Sequence, residues 1–270
     1  MNERKQFAVV TGASSGIGRE IARQLVRDRG MIVLASARRE DRLRELATEF
    51  PSVRFLAGDL ADADFRRELW NWALRESAED GIELLVNNAG VGNYAEFDKQ
   101  REQEIDTILT VNVVALFDLT RKAISHMKER KRGRILQISS VLGFVGLPYS
   151  ATYVASKHAV NGLTKSLRYE LRGSGVKVWV GCPGRTESEF ASVARGEAAK
   201  PDDDHSAART DRVVRSILRG LDRDRAFVIP GFLPKAVVAA ERYLPGPFDW
   251  VMSRWAAARF RRDSGLEPKT

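Results

Sequence analysis

Short apolar runs alternate with longer stretches in which apolar residues return every three or four positions, from residue 6 to about residue 230. QFAVVTG (6–12) reads as a buried strand, and GREIARQLVRDRG (18–30) follows with Ile21, Leu25 and Val26 on one helical face. The same reading places strands at 31–37, 53–60, 82–90, 133–140, 176–184 and 226–230. Helices are predicted over 39–50, 62–77, 101–130, 152–172 and 209–221. Continuous apolar runs suit strands covered on both faces. Repeated strand–helix alternation predicts an α/β fold: a doubly wound parallel sheet of about seven strands, with helices on both sides and right-handed crossovers. No linker interrupts the pattern, so residues 1–270 are expected to form a single domain.

Two segments break the rhythm. Residues 186–206 are polar and alanine-rich without a period, which suits a lid over a substrate. The tail, 234–262, is expected to be a helical extension. In it Phe248, Val251, Met252 and Trp255 follow helical spacing, while Arg254, Arg261 and Arg262 lie on the other side. A basic amphipathic helix of this kind suits packing on the domain, a cover for the substrate pocket, a partner subunit or peripheral contact with a membrane surface. An apolar tail beside a lid points to a hydrophobic substrate.

Composition narrows the function classes. The chain carries a net charge of +8, but its arginines are scattered and no helix-turn-helix or stacking-aromatic motif accompanies them, so nucleic acid is not an expected partner. The one cysteine, Cys182, and the widely spaced His126, His158 and His205 offer no metal site. No 18-residue uncharged stretch could span a bilayer. The N-terminal residues hold no apolar run suited to a signal peptide, so a cytoplasmic location is expected, with peripheral membrane contact left open.

The first strand–helix turn, VVTGASSGIGREIA (9–22), carries Gly12, Gly16 and Gly18. Glycine lets backbone approach a ligand closely, and the helix that follows offers free N–H groups and a positive dipole end. Together they suit a pyrophosphate. In such folds an acid after the second strand takes the ribose 2′-hydroxyl of NAD. Here Arg38 and Arg39 follow Ala37, and an arginine matches a 2′-phosphate instead. The cofactor expected is NADP(H).

Tyr153 and Lys157 stand four apart in TYVASKHAV (152–160), hence on one helical face. The set TGASSGIG (11–18), NNAG (87–90), Asn112 in TVNVVA, Ser140 in ISSVLG, YVASK (153–157) and PG (183–184) resembles the short-chain dehydrogenases/reductases over about residues 6–190. The resemblance implies a Rossmann-like sheet in the order 3-2-1-4-5-6-7, and a homodimer or homotetramer. It implies that Tyr153 is the general acid–base and that Lys157 favours its phenolate and bonds the nicotinamide ribose. Ser140 would hold the substrate oxygen, with the adjacent Ser139 as its rival. Asn112 would bend the long helix and hold a water leading to the lysine. Ser14, Ser15 and Ile17 complete the glycine loop. Asp59, with Leu60, resembles an adenine contact, although an N-cap role for Asp59 is the competing reading. Asn88, Ala89 and Gly90 would line the ribose, Asn87 would steady the strand, and Pro183 and Gly184 would turn over the nicotinamide. Ser188 or Thr186 would bond the carboxamide. The implied reaction moves hydride between nicotinamide and a small-molecule carbonyl or secondary alcohol. The alternative is a non-catalytic NADP(H)-binding sensor or scaffold.

Overall fold

The computed structural model describes residues 4–187, 189–190 and 207–263. Seven parallel strands form one sheet in the order β3-β2-β1-β4-β5-β6-β7. They are β1 (Phe7–Thr11), β2 (Ile32–Ala37), β3 (Val53–Ala57), β4 (Ile82–Asn87), β5 (Gly133–Ile138), β6 (Val176–Gly181) and β7 (Phe227–Val228). The helices between them are α1 (Gly16–Arg29), α2 (Glu40–Glu49), α3 (Ala63–Ser77), α4 (Glu102–Leu109), α5 (Leu116–Glu129), α6 (Ala151–Glu170) and α7 (Thr210–Asp222). Two further helices, α8 (Phe232–Tyr243) and α9 (Pro245–Asp263), follow β7.

Strand side chains alternate faces, and the two faces feed two cores. Ala8, Val10, Val33, Ala35, Leu84 and Val86 pack with α1, α2 and α7, the last through Val213, Val214, Ile217 and Leu221. Phe7, Val9, Leu34, Leu85 and Ile135 pack with α3, α5 and α6 on the other side. The apolar runs are therefore buried on both sides, and α1, α2, α3, α5, α6 and α7 each turn one stripe inward.

The strand order reverses between β1 and β4, and such a switch point opens a crevice beyond the strand ends. Gly12 after β1, Arg39 after β2, Asn88 to Gly90 after β4, Ser140 after β5 and Pro183 after β6 all leave the sheet at that end.

Two elements differ from their sequence pattern. The stretch 101–130, which reads as one helix, contains a π-helical turn at Thr110–Ala115 between α4 and α5. The tail is two helices, broken at Leu244 and Pro245, because proline cannot continue the preceding helix. Phe248 and Met252 are half-buried, but Val251 and Trp255, expected on the same packed stripe, are exposed. Most of the expected lid, 191–206, lies outside the described residues.

Candidate active site

The glycine loop is built by close approach. Gly12 has φ +67°, and a Cβ there would lie 2.9 Å from the Ala89 Cα. A Cβ on Gly18 would lie 2.3 Å from the Gly12 carbonyl oxygen. Neither position tolerates a side chain without moving backbone. Asn88 locks this geometry: its Nδ2 donates to the Thr11 and Gly12 carbonyls at 3.0 and 3.2 Å. The backbone N–H groups of Asn88 and Ala89 donate to Thr11 Oγ1 at 3.0 and 3.1 Å. Asn87 faces the core and donates to Thr120 Oγ1 and Gln137 Oε1, both at 3.0 Å.

The N-terminus of α1, at Gly16 and Ile17, is not capped by the Ser15 side chain, and no acid stands in its first turn. Its N–H groups and dipole are left to attract an anion. Arg39 bends over this loop, donating to Ser15 Oγ at 2.7 Å and Ser14 Oγ at 3.3 Å. Its other terminal nitrogen pairs with Glu189 at 2.8 Å, and this guanidinium holds the Glu189 carboxyl below the usual range. Arg38 is exposed. Of the two arginines, Arg39 is the one that touches the loop, and Glu189 is a neighbour that spacing did not reveal. Asp59 is exposed and accepts from the Ala61 N–H at 2.9 Å, while the cap of α3 is Asp62. The expected N-cap role thus belongs three residues later, where the helix starts. Leu60 is buried, and its carbonyl accepts from Arg66 at 2.7 Å.

The π turn places Asn112 inside the fold at 1% exposure. Its Oδ1 accepts from the Val91 N–H at 2.8 Å. Its Nδ2 donates to the Val91 carbonyl at 2.9 Å and to Ser156 Oγ at 3.0 Å. One amide thus ties the segment after β4 to α6. π turns mark functional sites often enough to direct attention there.

Tyr153 and Lys157 project from α6 into the same crevice. Lys157 Nζ lies 5.5 Å from the Tyr153 ring centroid and donates to the Ile138 carbonyl at 3.1 Å. An ammonium has three donors, and this backbone carbonyl takes one. A Cβ placed on Gly90 would sit 3.5 Å from Nζ, so Gly90 leaves room beside the cation. Ser140 lies close enough to Tyr153 to act on its phenol, and its Oγ accepts from the Leu142 N–H at 3.1 Å. Ser139 is buried and donates to the Lys157 carbonyl at 3.2 Å. Ser140 thus lies toward Tyr153 while Ser139 turns to the backbone of α6, as successive residues at a strand end face opposite ways.

Burial governs the electrostatics. It pushes the Tyr153 phenol above its ordinary range; the nearby Ser140 hydroxyl opposes this, and Tyr94 and Cys182 add to the rise. Burial pushes the Lys157 ammonium down to about 8, against the nearby Cys182. Burial also pushes the Cys182 thiol up to about 12, opposed by Lys157 and a Ser139 hydrogen bond. The expected acidification of the phenol by the lysine is not seen in the protein alone: of the groups that move the phenol only Ser140 lowers it, and desolvation prevails. Tyr153 stays protonated at neutral pH.

Phe190 packs on Tyr153 with ring centroids 5.4 Å apart, and Tyr94 lies near enough to influence it. Both were missed in the sequence because they lie outside its periodic runs. Gly184 faces Pro234 of α8, whose Cγ would be 2.8 Å from an added Cβ. The Pro183 carbonyl accepts from the Val141 N–H at 3.0 Å. Thr186 Oγ1 donates to the Gly184 carbonyl at 3.0 Å. Ser188 lies outside the described residues. Among the described residues no histidine, cysteine or carboxylate cluster could hold a metal.

The family model for short chain dehydrogenase matches residues 6–198. The chain is 38% identical over 182 residues to nodulation protein G of Rhizobium sp. (strain N33), covering 67% of this chain and 73% of that protein. It is 37% identical over 208 residues to an acetoacetyl-CoA reductase of Acinetobacter sp. (strain RA3849), covering 74% and 82%. Among solved structures it is similar to a short-chain dehydrogenase from Sphingobium yanoikuyae in complex with NADPH. That likeness has 30% identity and a TM-score of 0.78, over 92% of this chain and 95% of the other. The chain belongs to the short-chain dehydrogenase family of oxidoreductases.

Proposed function

We propose that this chain is an NADP(H)-dependent oxidoreductase that interconverts a carbonyl and a secondary alcohol on a hydrophobic small molecule. The observation that carries this reading is the trio at the crevice: the Ser140 hydroxyl close enough to the Tyr153 phenol to act on its pKa, with the buried Lys157 ammonium beside the ring. The chain's residues fit a dinucleotide on their own geometry. The close-packed Gly12 and Gly18 and the uncapped α1 suit a pyrophosphate, and the two remaining donors of Lys157 suit ribose hydroxyls. Arg39 suits a 2′-phosphate, which supports NADP(H) over NAD(H).

A bound nicotinamide would supply or accept the hydride. Ser140 donates to the substrate oxygen and orients it. In reduction, Tyr153 gives its proton to that oxygen and is left as a phenolate beside the Lys157 cation, which stabilises it. The protonated resting phenol is the state needed to reduce a carbonyl. In oxidation the same proton returns to Tyr153. Phe190 and Tyr94 give the crevice apolar walls, which supports a hydrophobic substrate. Leu109, Val114 and Phe117, left exposed along α4, the π turn and α5, support a homo-oligomer.

The test is NADPH oxidation, followed at its nicotinamide absorbance, across aromatic, long-chain and cyclic ketones, with alcohols and NADP in reverse. Turnover with at least one apolar carbonyl is expected. Tight NADPH binding with no turnover across the panel would overturn the catalytic reading and leave a dinucleotide sensor.

A further inference from the structure

Arg212, Arg215, Arg219 and Arg223 recur at helical spacing on and just after α7, opposite the face that Val213, Val214, Ile217 and Leu221 bury. With Arg225 and Lys235 they line a groove of about 390 Å³ beside β7, and no carboxylate lines it. Arg215 is paired, with Asp211 at 3.7 Å. Among the described residues, the other five cations have no carboxylate within salt-bridge distance. Such a concentration of one sign attracts an extended anion.

The groove is bordered by an apolar surface. Lys235 belongs to α8, none of whose residues is buried, and α9 packs on α8. Phe232 is 86% exposed and Trp250 63%, and Leu233, Tyr243, Leu244, Val251 and Trp255 are also open. Arg242 lies over the Tyr243 ring and Arg254 over the Trp250 ring, at 5.6 and 5.0 Å from the centroids. Rings with a cation held against them suit the boundary between headgroups and acyl chains.

We propose that α7, the β7 edge and the α8–α9 tail form a docking face for an anionic phospholipid bilayer. The arginine groove takes headgroup phosphates and the tail aromatics enter the interface. Charge complementarity selects this occupant. A second copy meeting the same face across a two-fold axis would set arginine against arginine. A soluble anion would leave the exposed aromatics in water. Pro234, in the first turn of α8, abuts Gly184, so the docked face leads to the crevice. The proposal does not rest on the chemistry of Tyr153.

The test is co-sedimentation of the full chain with vesicles of phosphatidylcholine alone and with phosphatidylglycerol added. Binding to the anionic vesicles is expected, weakened by salt. The triple variant Arg219→Glu, Arg223→Glu, Arg225→Glu should lower partitioning at least roughly 100-fold at low salt. Trp250→Ser with Trp255→Ser should lower it about tenfold. Brominated acyl chains should quench tryptophan fluorescence in the wild type and not in the tryptophan double variant. Unchanged melting temperatures show that the variants fold. Equal binding to neutral and anionic vesicles, or none at low salt, would overturn the proposal. So would charge-dependent binding without quenching, which would mean adsorption of any polyanion. Conversion of a dimer to a monomer by the tryptophan variant, with no vesicle binding by the wild type, would give the face to a second copy instead.

Discussion

Arg39 reaches from the cap of α2 to two loop serines and, with its other terminal nitrogen, to Glu189 at 2.8 Å. A carboxylate therefore stands against the cation proposed for a 2′-phosphate. The pair is half-exposed and weak, so a phosphate can displace it. Arg39→Ala should weaken NADPH binding about 10- to 100-fold and alter NADH binding far less, since only NADPH carries the extra phosphate. Glu189→Gln should tighten NADPH by up to about fivefold and leave NADH unchanged. Fluorescence titration with both dinucleotides measures this. Equal losses for the two would make Arg39 a brace for the loop rather than a phosphate ligand.

That example shows where the sequence is readable. The glycine turn, the double arginine and the Tyr153–Lys157 spacing are local signals, carried by a few adjacent residues on strands and helices of regular period. Glu189, Phe190 and Tyr94 reach the site from segments outside the periodic runs, whose paths depend on tertiary packing. The π turn at Asn112 adds one residue to a turn within an otherwise unbroken helical pattern, so 101–130 reads as a single helix. Three aspartates, Asp59, Asp62 and Asp64, crowd the start of α3. Which one caps it is decided by where the helix begins, not by residue type. Ser139 and Ser140 are chemically identical, and only the facing of the strand end separates them.

The Lys157 ammonium, lowered by burial to about 8 from an ordinary 10.5, makes a pH prediction. As pH rises through about 8 the charge and one of the three N–H donors are lost, which weakens the hold proposed for the ribose. Dinucleotide Kd should therefore rise, by up to about tenfold per pH unit, above about 8, and Lys157→Met should flatten that dependence. Stability moves the opposite way. Between about 8 and 10.5 the unfolded chain binds a proton that the folded lysine does not, so this group's contribution to stability rises with pH. Binding titrations and thermal melts across pH 7–10.5 check both signs. A Kd unaffected by pH in the wild type would remove Lys157 from the ribose.

Asn112 satisfies both backbone groups of Val91 and also reaches Ser156. Asn112→Leu would leave the two part-buried backbone groups of Val91 unpartnered, at about 1–2 kcal/mol each, while Ser156 keeps its bond to the Tyr153 carbonyl. The expected loss is about 2–4 kcal/mol in total, seen as a melting temperature lower by roughly 5–15 °C. Turnover should fall further than dinucleotide affinity, because the bridge ends on α6 one residue from Lys157. A melting temperature within about 1 °C of wild type would show the bridge to be idle.

The Ser140 hydroxyl acts on the Tyr153 phenol, yet the two have separable parts. If Tyr153 supplies the proton, Tyr153→Phe keeps the ring packed on Phe190 and removes the only atom that changes protonation. Turnover should fall at least about 10³-fold with NADPH affinity nearly unchanged. Ser140→Ala removes an orienting donor and should cost roughly 10–100-fold, also in turnover. It would release the phenol from the one interaction that lowers its pKa. The rising limb of the pH profile for alcohol oxidation, which needs the phenolate, should therefore move to higher pH in Ser140→Ala. Steady-state kinetics over pH 6–10 resolves the two roles. Tyr153→Phe retaining full turnover would place the proton donor elsewhere in the crevice.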